Sequence, residues 1–200
     1  RSSAASDVYK RQEHYNLISV LHKSIRGSDP QAAIYWLHRM LAAGAEPRYL
    51  LRRLIRIAME DIGNADPQAL PLAISAQQAF DFLGIPEGLL ALDQITLYLA
   101  TAPKSNRVEL AHFAAQKAIQ KFGDLTVPLE FRNAPSKTMK DIGYGKGYQY
   151  DHDSPQAYAG QEHLPRELAG KIFYNPTQFG FEKEISKRMQ WWQSRKIPKE

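Results

Sequence analysis

GSDPQAAIYWLHRMLAAGAEP, Gly27 to Pro47, carries one helix complete with its punctuation. Asp29 is suited to cap the helix N-terminus and Pro30 to occupy its first turn, where a missing N–H costs nothing. Ile34, Leu37 and Leu41 recur at the spacing of one helix face, Gly44 stops the pattern, and Pro47 opens the next segment. The same grammar extends in both directions. Upstream, Tyr15, Ile18, Leu21 and Ile25 mark a helix from about His14 that closes at Gly27. Downstream, a helix from Pro47 points Leu51, Leu54, Ile55, Ala58 and Ile62 inward. Asp66 and Pro67 repeat the cap-and-proline device for a helix ending at Gly84, with Pro71 tolerable within its first turn. Pro86 opens a fifth helix through Ala100, and a sixth runs from about Lys104 to Phe122 before Gly123.

Short connections turn successive helices back on one another, and no residue pattern recurs at a fixed period, so a solenoid is excluded. After Gly123 the texture changes. Pro128, Pro135, Pro155, Pro165 and Pro176 interrupt the chain, and only Ser136–Ile142 and about Phe181–Ser194 read as helix. Tyr144, Tyr148, Tyr150, Tyr158, Phe173 and Tyr174 make this segment too aromatic for a disordered tail, which favours an extended wrap. The expected fold is mainly α: a compact stack of helical hairpins with an irregular tyrosine- and proline-rich C-terminal belt and a final helix. Residues 13–200 form a single domain in this reading, with a helical body at 13–123 and belt plus last helix at 124–200. The opening RSSAASDVYKRQ, residues 1–12, reads as a leader, either disordered or added for expression.

Composition narrows the function classes. With 44% hydrophobic and 24% charged residues the balance is globular, and the absence of cysteine excludes disulfides, zinc–thiolate sites and thiol nucleophiles. That fits a reducing, cytoplasmic setting, and charges interrupt every long apolar run, so no membrane span is expected. The net charge of +5 comes from the two ends. The first twelve residues carry Arg1, Lys10 and Arg11 against Asp7, and Glu182–Glu200 carries six Lys/Arg against three Glu, leaving the middle near neutral.

Several patterns invite chemistry. GYGKGYQYDHD, Gly143–Asp153, sets glycines around Lys146, but no Ser or Thr follows the lysine and no helix pattern begins, so turns describe it better than a phosphate loop. Asp151, His152 and Asp153 are adjacent, and no histidine pair shows metal-ligand spacing, so no metal site is assigned. Glu60 and Asp61 diverge by about 100° on a regular helix, which disfavours an acid/base dyad. Arg48, Arg52 and Arg56, with Arg53 beside them, form a guanidinium stripe that is either the solvated back of a core helix or a surface for phosphate contacts. Lys104 in APKSN stands at a helix start where an anion could sit, although capping accounts for the segment. Trp191 and Trp192 lie among Lys187, Arg188, Arg195 and Lys196, so one tryptophan can pack inward while the other meets a partner or a base. No catalytic or cofactor-binding residue is assigned.

HYNLISVLHKSIRGSDPQAAIYWLHRML, EDIGNADPQAL, YLATAPKSN, GYGKGYQYDHD and YNPTQFGFE, taken together and in order, resemble the C-terminal part of the replication-associated recombination protein A family. These are clamp-loader-like AAA+ ATPases related to the eukaryotic Werner-helicase-interacting protein, and the resemblance covers essentially Glu13 to the end. It implies a collar-like helical region that holds subunits together, as a homotetramer in bacterial members. ATP and magnesium would be bound by an AAA+ module outside these residues, since no Walker A lysine loop, Walker B strand or arginine finger can be assigned here. Implied partners are replication-fork DNA and single-strand-binding protein, in a cytoplasmic, nucleoid-associated setting. The alternative implied role is a DNA- or partner-binding module using the Arg48/Arg52/Arg56 stripe or the Trp191/Trp192 tail.

Overall fold

A computed structural model describes residues 3–196, with side chains from Gln12 onward. Its α-helices are α1 (Ser3–Arg26), α2 (Pro30–Ala42), α3 (Pro47–Ile57), α4 (Ala69–Leu83), α5 (Leu89–Thr101), α6 (Arg107–Phe122), α7 (Lys137–Ile142) and α8 (Glu182–Gln193). Short 3-10 turns link them, and no strand occurs among the described residues, so the fold is all-α. No helix among those residues is long and apolar enough to cross a membrane.

Local chemistry sets the boundaries. The Asp29 carboxylate accepts from the Ala32 N–H at 2.9 Å, with Pro30 in the first turn of α2. Glu46, which carried no capping signal by residue type, does the same work for α3 by accepting from the N–H groups of Arg48 and Tyr49, each at 2.9 Å. Asp66 accepts from the Gln68 N–H at 3.0 Å ahead of α4 and from the Tyr98 hydroxyl of α5 at 2.5 Å. That second bond, reinforced by burial, pushes the Tyr98 phenol up to about 12.

The core gathers around α5, which packs against α1, α2, α3 and α4. Its sequence LLALDQITLYLAT is apolar on most sides, as a helix surrounded by others must be, and it buries Leu92, Ile95, Leu99 and Ala100. Leu21 and Ile25 of α1, Leu37 and Met40 of α2, and Leu50, Leu51, Leu54 and Ile57 of α3 complete the cluster, all essentially without exposure. Each such side chain contributes about 1.5–3 kcal/mol by leaving water.

Three boundaries in the structure differ in detail from the sequence reading. Helix α1 begins at Ser3, so residues 3–12, expected as a leader either disordered or added for expression, are helical; residues 1 and 2 lie outside the described residues. No glycine or proline falls between Ser3 and Gly27, so nothing in the backbone interrupts the helix. The helix expected to run from Pro47 through Ile62 is regular only to Ile57 and continues as a wider π-turn, Ala58–Ile62. Finally, the chain divides into two compact units, one of residues up to Glu109 with Thr177–Lys183, the other of Leu110–Pro176 with the residues from Glu184. The division falls within α6 and not at Gly123, because the apolar core has no member beyond Ala102 among the described residues.

The second unit is held by rings more than by aliphatic burial. Phe131 stacks on His163 at 4.5 Å and meets Tyr148 edge-on at 6.1 Å, while Tyr158 lies 6.1 Å from Trp191. Gln149 and Gln161 exchange two hydrogen bonds between backbone and side chain, at 2.9 and 2.7 Å. Gly143 caps α7 at φ 100° and Gly145 and Gly147 make the following turns, with Lys146 exposed.

In the first unit the segment Thr177–Lys183 is locked by Glu182, whose side chain is fully buried. One of its oxygens accepts from Ser105 Oγ and from the Thr177 N–H, each at 2.8 Å. Beside it, Phe181 N–H donates to the Ala65 carbonyl at 2.7 Å. Gly180 has φ +51°, and a Cβ there would stand 2.1 Å from Ala65 O and 2.7 Å from Pro103 Cγ. Only glycine fits so close to that carbonyl. Gly180→Ala is therefore expected to destabilise the protein by roughly 2–4 kcal/mol, read as a lowered urea or thermal midpoint. A midpoint equal to wild type would refute the close packing of this segment.

Candidate functional site

The polar centre of the first unit is the π-turn after α3. A π-turn is wider than an α-turn, and such turns recur at functional sites. Here it brings both Glu60 and Asp61 to one arginine of α1. Arg26 Nε donates to Asp61 Oδ1 at 2.5 Å, and an Arg26 terminal nitrogen donates to Glu60 Oε1 at 3.1 Å. His22, one helical turn before Arg26, places Nε2 2.6 Å from Asp61 Oδ2. The carboxylate can only accept, so the ring nitrogen carries the proton. Arg56 closes the array by donating from Nε to Glu60 Oε2 at 2.8 Å.

Asp61 is buried, and burial alone would push its carboxyl up, but the hydrogen bonds from His22 and Arg26 and their charges hold it below the ordinary carboxylate range. The ligand-type atoms of His22, Glu60 and Asp61 lie within 4.8 Å of one another. Arg26 already reaches both carboxylates, so a guanidinium stands where a metal cation would have to enter.

Two open clefts flank this array and share Arg26 and Glu60. One, of about 430 Å³, lies between α1 and α3 and is lined by Tyr15, Ser19, His22, Lys23, Arg53 and Arg56 as well. The other, of about 560 Å³, borders the start of α6 and includes Asp61, Lys104, Ser105, Asn106, Arg107 and Thr177. The Asp61 carbonyl accepts from the Ser105 N–H at 2.7 Å, which connects the π-turn to that loop.

The arginines of α3 separate. Arg48 donates to Asp81 of α4 at 2.8 Å, Arg56 is held by Glu60, and Arg52 is exposed, with no ion pair among the described residues. Arg53 turns toward α1, lines the first cleft and has a buried Nε without a hydrogen-bond partner. Lys104 is half-buried and donates to the carbonyls of Ala100 and Ala102 at 3.1 and 2.6 Å, closing the end of α5. Burial pulls its ammonium below the ordinary lysine value, partly opposed by Asp61.

The tail candidates lie in the second unit. Lys187 pairs with Glu184 at 2.8 Å, and Arg188 is exposed. Arg195 lies 4.0 Å over the Trp191 ring, which also faces Tyr158, so Trp191 has little free face for a base; Trp192 is 44% exposed. Residue type and linear spacing left out Lys23, Arg26, His22 and Arg107. The pattern Ser19, His22/Lys23, Arg26 at helical spacing on α1 was the available signal.

The segments EDIGNADP, APKSN and NPTQFGFE thus meet in one hydrogen-bonded knot, and residues 27–193 match the family model described as MgsA AAA+ ATPase C terminal. The chain belongs to this family. Proteins similar to it are the replication-associated recombination protein A of Coxiella burnetii, 48% identical over 89% of the chain, and that of Escherichia coli K12, 47% identical over 91%. The ATPase WRNIP1 of Dictyostelium discoideum is 48% identical over 80% of the chain. The chain spans 41% of the length of each of the two bacterial relatives and 18% of the third. It therefore corresponds to the C-terminal region of MgsA-type AAA+ proteins of replication-associated recombination.

Asp61→Asn removes the charge and one of the two oxygens that accept from Arg26 and His22, and sets an amide N–H against one of those donors. Asp61→Asn should cost about 2 kcal/mol at neutral pH, less than for a fully buried pair because Arg26 is half exposed. A carboxyl held below its ordinary range contributes stability above that range and loses it as pH falls through the folded value. The gap between wild type and Asp61→Asn in denaturant unfolding should accordingly close on acidification below about pH 4. A gap independent of pH would show that the carboxylate charge is not what matters.

Proposed function

We propose that this chain is the self-association region of an AAA+ ATPase acting in replication-associated recombination, and that its role is geometric. ATP and magnesium would be handled by an AAA+ module elsewhere in the longer protein, and this region would hold such modules together, as a homotetramer, while they act on fork DNA. Single-strand-binding protein would be met by the full-length assembly. Family membership and the chain's share of its relatives' length support the reading. The observation that carries it is an uncovered apolar stretch at the α4–α5 turn, where Phe82 is 90%, Leu83 53%, Ile85 66% and Leu90 72% exposed.

Large apolar side chains gathered at one place are costly to leave in water and mark surfaces that another protein covers. A patch that meets its own copy across a two-fold axis closes a dimer, and a second two-fold contact between dimers would complete the tetramer. Light scattering after size exclusion should give a mass near four times 22.7 kDa. Phe82→Glu with Leu90→Glu should shift it toward 22.7 kDa while leaving the helical circular dichroism unchanged. A monomer at every concentration would remove self-association by this region alone.

A further inference from the structure

The cleft between α1 and α3 holds more cationic donors than its own acceptors use. Glu60 is engaged by Arg26 and Arg56, and Asp61 by Arg26 and His22. Among the described residues Lys23 and Arg53, on opposite walls, have no ion-pair partner, and two hydroxyls on the α1 wall, Tyr15 and Ser19, form no hydrogen bond. Tyr15, Ser19 and Lys23 all line the α1 wall of the cleft. Arg26 and Arg56 balance the charges of Glu60 and Asp61, so Lys23 and Arg53 are the surplus cations of the cleft. A cleft of about 430 Å³ with one buried unpaired guanidinium N–H, solvent-facing hydroxyl and ammonium donors and surplus positive charge has the chemistry of an oxyanion receptor.

We infer that this cleft binds a phosphate group, with Lys23 and Arg53 as its charged contacts and Ser19 and Tyr15 as neutral donors. Arg26 and Arg56 are positioning residues, since Glu60 and Asp61 already hold them. Donors on two walls suit a group that accepts on several sides, as a tetrahedral phosphate does, better than a planar carboxylate. Two sources supply that group: a free phosphate and the backbone of a polynucleotide. The inference is independent of self-association, which uses the α4–α5 turn.

The test uses the full 200-residue chain and two probes. Fluorescence anisotropy of a labelled single-stranded oligonucleotide and of its duplex is followed over a range of salt, and thermal unfolding is compared in inorganic phosphate and in chloride at matched ionic strength. If the polynucleotide is the source, Lys23→Gln with Arg53→Gln should weaken binding by about tenfold or more and reduce the salt slope by about one unit per lost contact. Arg52→Gln with Lys187→Gln removes equal charge elsewhere and should change little. If the source is a free phosphate, that anion raises the wild-type midpoint and leaves the Lys23/Arg53 variant unmoved. Ser19→Ala, which alters no charge, should weaken whichever probe binds. The inference is overturned if neither probe responds, or if the cleft variant and the control lose equal amounts.

Discussion

A buried carboxylate has to be surrounded by donors, and that requirement at Asp61 organises the first unit. Its side chain takes His22 and Arg26 from α1, and its backbone carbonyl takes the Ser105 N–H from the loop before α6. Ser105 then donates through its hydroxyl to the fully buried Glu182, which also accepts from Thr177. Four stretches far apart in the chain are joined through two acids, each of which would be costly to bury alone. The π-turn belongs to this constraint. In a regular helix Glu60 and Asp61 would diverge, whereas the widened turn lets both reach Arg26.

What could be read from the sequence was what residues do to their own neighbours. Asp29, Pro30 and Gly44 delimit α2 because capping, φ restriction and stop signals act within a few residues. What could not be read depends on partners brought by folding. Glu182 sits among lysines and counts as part of a solvated charged tail, yet it is the most deeply buried acid among the described residues. Nothing within its own helix reveals that, because its partners, Ser105 and Thr177, come from a loop and a return segment. The unit boundary within α6 is hidden for a related reason: the helical pattern runs on unbroken while the core it packed against has ended at Ala102.

The fate of the α3 arginines shows why spacing alone misjudges a charged face. At about 100° per residue, successive i+4 positions drift by about 40°, so Arg48 and Arg56 do not share a direction. Arg48 finds Asp81 on α4 and Arg56 finds Glu60 within its own turn. Arg53, placed beside the stripe in the sequence, turns toward α1 and finds no carboxylate among the described residues. Whether a cation is available for a ligand is decided by the acids its neighbours bring, which a single helix does not encode.

The same reasoning separates the two exposed features of the first unit. The apolar turn from Phe82 to Leu90 belongs to α4 and α5, whereas the cationic cleft belongs to α1 and α3. The features also differ in what they need from solution. Apolar association strengthens with the area removed from water and is little affected by salt, while contact with phosphate weakens as salt rises. Under the two proposals, an assembly built on the apolar turn would persist while the grip on an anion varied with salt. They sit on different helices, which meet through the buried leucines of α5 and through the Arg48–Asp81 pair between α3 and α4.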